Sequence, residues 1–133
     1  MVIKKIIIYL NLMFILLTTN SYAKVDITSR VAVEWWCSGI LFRTVGIINN
    51  NINRFGGDAR STLTTLSKHL DNNGMVLMQK ASLGKMNAKD SAERVNAGKD
   101  WANDNVRNNI LDILNKGSRT NKIIMSCLSL NNK

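Results

Sequence analysis

Proline is absent from this chain, although average usage of about 5% would place about six or seven in 133 residues. Helical chains without cis-peptide turns tolerate that absence best. Histidine occurs once, at His69, so a hydrolytic triad would have one imidazole base to draw on, and no G-x-S-x-G elbow accompanies it. Cysteine occurs twice, at Cys37 and Cys127, with neither a C-x-x-C nor an H-x-x-x-H spacing. Together with His69 they fall short of the four ligands of an ordinary metal site. Gly56-Gly57 precedes a helical pattern but lacks the preceding strand and the lysine of a P-loop. Acids are few, 9 against 18 lysines and arginines. Asp58, Asp71, Asp90, Glu93, Asp100, Asp104 and Asp112 all read as helix caps or polar-face partners of nearby bases, not as a catalytic pair. The expectation is a protein that is not an enzyme and carries neither cofactor nor metal.

What is present begins with MVIKKIIIYLNLMFILLTTNSYA. Lys4 and Lys5 form a basic start, residues 6–17 are apolar apart from Asn11, and Ser21-Tyr22-Ala23 supplies small residues where a signal peptidase reads them. That is the layout of a secretory signal peptide, and about a dozen apolar residues fall short of the ~20 of a spanning helix. Cleavage after Ala23 is expected, giving a secreted or periplasmic protein with no stable membrane span; the competing reading is an uncleaved anchor. Residues 24–133, 110 in number, then make one domain. The full-chain charge is +9, and removal of Lys4 and Lys5 leaves +7. The bases are scattered, and aromatics are only 6% of the chain. A nucleic-acid binder gathers its charge on one element and interleaves aromatics, so nucleic acid is not the expected partner. An acidic protein, anionic lipid head groups or an anionic wall polymer remain open.

Helical periodicity organises residues 24–133. Thr28 or Ser29 caps a first helix reaching about residue 52, with Val33, Cys37, Ile40, Thr44 and Ile47 on one face and Leu41, Val45, Ile48 and Ile52 beside them. So wide an apolar arc marks a helix buried against several neighbours. NNNINRFGG at 49–57 stops it, and Asp58 caps a second helix through Ala59, Leu63, Leu66 and Leu70, ending near DNNG at 71–74. A third, shorter helix is expected over 75–86, with Met75, Leu77, Met78, Leu83 and Met86 as its apolar set. Asn87 and Asp90 resemble a capping box opening a long segment through Ala88, Ala92, Val95, Ala102, Val106, Ile110 and Ile113, closed by Gly117. Thr120 or Asn121 caps the last turns, which carry Ile124, Cys127 and Leu128. The fold class is all-α, a compact bundle of four to five helices.

Both cysteines fall on apolar faces, and in an oxidising compartment two cysteines of a small domain most often pair. A Cys37–Cys127 bond would join the first and last helices and close a loop of about 90 residues, for which chain entropy gives about 4–5 kcal/mol. Two free buried thiols are the alternative. The dipeptide before Cys37 then has a structural reading: Trp36 packs beside the disulfide and Trp35 lies toward the rim. Three residues are candidates for partner binding, namely Trp35, Trp101 and Arg94, since tryptophan and arginine favour hot spots. Trp101 reads equally well as a ring closing the rim of the core. The segment at 75–86 is either a soft, methionine-rich surface or a short core helix.

The signal peptide, the WWC at 35–37 and the cysteine within IIMSCLSL at 123–130 together resemble the layout of small periplasmic immunity proteins, nearest the type VI secretion amidase immunity proteins. The resemblance implies a helical protein that binds and blocks a cognate cell-wall-degrading toxin; it transfers no contact residue. A second resemblance is to the periplasmic acid-stress chaperones, also small, helical and tied by one disulfide. Acid-triggered opening needs many ionised carboxylates, and 9 acids against 18 bases suit it poorly. The reading is therefore a protein-binding inhibitor or immunity protein of an envelope-active toxin or enzyme. The alternatives are a periplasmic holdase and a non-catalytic accessory of an envelope or secretion complex.

Overall fold

The structure, a computed structural model, describes residues 25–132. The expected signal peptide lies outside the described residues. Within them are four α-helices and no strand: α1 (Arg30–Asn51), α2 (Gly57–Ser82), α3 (Ala88–Asn105) and α4 (Arg119–Ser129). Short 3-10 turns at Ile52–Arg54, Ile110–Leu114 and Leu130–Asn132 complete the path. The all-α class is what the periodicity indicated.

α1 is the central element. Ser29 caps it, its hydroxyl accepting the Ala32 N–H at 3.1 Å. Neighbours cover it on three sides, so Ala32, Trp36, Cys37, Ile40, Leu41, Ile47 and Ile48 are all buried. Among the described residues the stretch Arg30–Arg54 alone is long and apolar enough to cross a membrane. Here that surface is instead taken up by α2, α3 and α4, as befits a helix hydrophobic on most sides.

α1 and α3 cross at two reciprocal glycines. A Cβ on Gly98 would overlap the Trp36 carbonyl oxygen and sit 3.0 Å from the Ile40 nitrogen, and one on Gly39 would overlap the Val95 carbonyl oxygen. The two backbones are therefore in direct contact, which only residues without a side chain permit. Against α2, the Phe42 ring rests on buried Gly74 and Ser67 donates to the Asn49 side chain at 2.9 Å, while Val31 rests on Gly84 just beyond the end of α2. α4 is pinned by the Cys37–Cys127 disulfide, whose Cα atoms lie 5.3 Å apart. The pairing expected from the two apolar faces is thus the one formed.

Four expected boundaries are corrected. α2 does not stop at 71–74: Leu70, Gly74, Leu77 and Ala81 continue one buried line, and packing of Gly74 under Phe42 overrides the local stop signal. The separate helix over 75–86 is the last part of α2. The long segment after Asn87 breaks at Asn105, whose side chain bonds back to the Trp101 carbonyl at 2.8 Å. Ile110 and Ile113 are buried at spacing three because they belong to a 3-10 turn, so the period was real but its helix type differed. Ser118, not Thr120 or Asn121, caps α4, accepting the Asn121 N–H at 3.0 Å. At the start of α2, Gly56 takes the cap position and Asp58 falls in the first turn.

Candidate functional site

The three side chains singled out for partner binding do not share a surface. Trp101 is 1% exposed, and its ring meets that of Trp36 edge-on, with centroids 6.3 Å apart at 65°. This corrects the rim position expected of Trp101. Ala97, Gly98 and Ala102 are small enough to let α3 sink onto α1, and the indole is drawn inside with it. Trp35 is half-buried on α1, and its indole nitrogen is closed to solvent.

Arg94 is committed to the fold. Its side chain is 12% exposed; Nε donates to the Asp26 carbonyl at 3.0 Å and Nη1 to the Asp90 carbonyl at 3.1 Å. The carboxylates of Asp90 and Glu93 lie 3.9 and 3.6 Å from the same Nη1. Arg94 thereby ties the lead into α1 onto α3. The Asp26 carboxylate accepts from the Thr28 hydroxyl at 2.6 Å and the Thr28 N–H at 2.9 Å. Those bonds, helped by the Arg94 charge, hold Asp26 below the ordinary carboxylate value.

His69 is exposed on α2, beside Asn73. Among the described residues no group of three or more His, Cys, Asp or Glu side chains is placed to hold a metal ion.

The strongest open feature is on α2. Leu83, the residue capping its C-terminus, is 87% exposed, Met75 48% and Val76 41%; Met125 on α4 and Leu111 in the second 3-10 turn, at 51% and 46%, are exposed singly. Val76 and Leu83 stand seven positions apart, two turns on the same side of the helix, with Met75 adjoining. Met75, Leu77, Met78, Leu83 and Met86 are the apolar set expected of a separate helix over 75–86. In the continuous helix only Leu77 of that set is fully buried, because the line of Leu70, Gly74 and Ala81 selects it. Between Asp71, one turn before Met75, and Asp90, which follows Lys89, the chain contains Lys80, Lys85 and Lys89 and no acid.

The base of the strip is fixed. The Leu83 N–H donates to the Lys80 carbonyl at 3.2 Å and the Gly84 N–H to the Ala81 carbonyl at 3.0 Å. Lys80 Nζ in turn donates to the Asn131 carbonyl at 3.4 Å. The Asn131 amide donates to the Asn73 carbonyl at 3.1 Å and to its side-chain oxygen at 2.7 Å. The strip therefore borders the seam where the C-terminal turn docks on α2.

No protein-family model, curated protein or solved structure matches the chain.

Proposed function

We propose that this protein is a non-catalytic binding protein of the cell envelope, an inhibitor or immunity protein that blocks an envelope-active toxin or enzyme. The observation that supports this reading most is the exposure of Met75, Val76 and Leu83 at the C-terminal turns and cap of α2, a helix packed against α1. Exposed apolar residues along the last two turns of one helix, on a scaffold tied by a buried disulfide, suit recognition by a preorganised surface. The disulfide is compatible with an extracytoplasmic site of action. The experiment is affinity capture from envelope extract of the producing cells with residues 24–133 as bait, followed by assay of the recovered protein. Recovery of an envelope hydrolase in a one-to-one complex, inactive until released, is the expected result. Turnover of any wall or protein substrate by the bait itself would overturn the reading, as would low-pH capture of many unfolded proteins without stoichiometry.

A further inference from the structure

We propose that the C-terminal end of α2 is the docking face, and that its partner is a protein surface with an apolar pocket for Leu83 inside an acidic rim. This rests on the reading of the chain as a binding protein and names the site of that binding. Charge identifies the occupant: the stretch holding the exposed Met75, Val76 and Leu83 contains three lysines and no acid between Asp71 and Asp90. α3, by contrast, carries Asp90, Glu93, Asp100 and Asp104 against Lys89, Arg94 and Lys99. The acids of α3 thus outnumber its bases, and the bases next after Leu83 in the chain are Lys85 and, in the first turn of α3, Lys89, both exposed. Complementary acids on that partner would speed encounter and fix register.

A protein pocket suits the geometry better than a bilayer. On the same side of α2 as Val76 and Leu83 lie Thr65, Asn72 and Gln79, all exposed and polar. The exposed apolar residues are therefore interrupted by Gln79 along the last two turns of α2 and do not make the continuous stripe that an interfacial helix sinks into lipid. Leu83 is also held in place by the close fit of its neighbour. A Cβ at Gly84 would lie 2.6 and 2.8 Å from the Val31 methyls, so the chain beside Leu83 is pressed against α1. A side chain presented from so fixed a backbone loses little freedom when a pocket closes around it.

The test uses random peptides displayed on phage, selected against residues 24–133 with the disulfide intact. Enriched peptides are expected to combine an apolar anchor with aspartate or glutamate. Their affinity should fall at least tenfold on Leu83→Ser, and again on Lys85→Glu with Lys89→Glu, while Lys122→Glu on α4 leaves it unchanged. Unfolding of each variant is followed alongside, and Leu83→Ser should melt as the parent does, given its 87% exposure. No enrichment, or peptides that bind Leu83→Ser as tightly as the parent, would overturn the proposal. So would Leu83-dependent binding to phosphatidylglycerol–phosphatidylethanolamine vesicles. An envelope hydrolase inhibited equally by Leu83→Ser would leave the inhibitor reading standing and remove this face. Leu83-dependent selection of acidic peptides with no hydrolase inhibited would do the reverse.

Discussion

Replacing Gly98 by alanine adds one methyl group, and the structure makes it a severe change. The new Cβ would overlap the Trp36 carbonyl oxygen and lie 3.0 Å from the Ile40 nitrogen. Both obstacles are backbone atoms in the middle of α1, so neither can rotate aside. Relief requires α3 to move off α1, which loosens the contact of Trp101 with Trp36 and of Ala97 and Ala102 with the core. Overpacking costs about 1–3 kcal/mol where side chains can yield and more where they cannot, so about 3–4 kcal/mol is expected here. Alanine returns about 1 kcal/mol through its better helix propensity. The net loss of about 2–3 kcal/mol corresponds to a fall in melting temperature of about 10–20 °C for a domain of this size. Gly46→Ala is the matched control, in the same α1, with nothing within 4 Å of the added carbon. There propensity acts alone and should stabilise by about 0.5–1 kcal/mol. Gly39→Ala presses on Val95 in the same crossing, so Gly39→Ala with Gly98→Ala should cost less than the two single changes added together. The assay is thermal and urea unfolding followed by circular dichroism. A net change for Gly98→Ala within about 0.5 kcal/mol of the parent would, with ~1 kcal/mol returned by propensity, leave no more than about 1.5 kcal/mol of overpacking against the ~3–4 kcal/mol expected, and would refute the crossing described here.

Cys37 and Cys127 close a loop with a sequence separation of 90, so reduction or Cys37→Ser should remove about 4–5 kcal/mol. A melting temperature unmoved by reductant would show that the bond contributes nothing. Asp26 has a folded-state value below the ordinary 3.8. Its contribution is therefore complete above about pH 4 and is lost as the pH falls through the lower folded value. Stability measured from pH 6 down to pH 2 should fall more steeply for the parent than for Asp26→Asn, and parallel curves would count against the Thr28 and Arg94 interactions. Material recovered from the envelope or medium should begin within a few residues of Lys24 by intact mass; the full 133 residues would remove the signal-peptide reading.

The elements that could be read from the sequence are those whose evidence is local. Ser29, Asn87 and the wide apolar arc of α1 each carry their own signal, and each acts as that signal indicates. The disulfide was legible because both cysteines sit on apolar faces in a chain with no other thiol. The boundaries that moved are those decided between elements. Asn72-Asn73-Gly74 is a stop signal in isolation, yet Gly74 is where α2 makes room for the Phe42 ring. Ile110 and Ile113 keep a spacing that an α-helix and a 3-10 turn share, so only the break at Asn105 tells them apart.

Trp101 and Leu83 show why surface was harder to read than core. Helical spacing places a residue around its own axis but does not say how close the next axis lies. At Gly39 and Gly98 the axes close to backbone contact, and Trp101, which spacing alone set at a flank, is enclosed. At residues 71–74 the opposite error entered. With α2 divided there, Met75 and Leu83 are free to define the inner face of a helix of their own. With α2 continuous, Leu63, Leu70, Leu77 and Ala81 have already fixed which side is inner, and Leu83 is left outside. A single tertiary contact, Phe42 on Gly74, is thus upstream of the exposed strip. Disrupting that contact by Gly74→Pro should break α2, because an interior proline costs about 3 kcal/mol and removes a hydrogen bond. Loss of Leu83-dependent peptide binding in that variant, with the disulfide still formed by mass, would tie the binding face to the continuity of the helix; undiminished binding would detach the two.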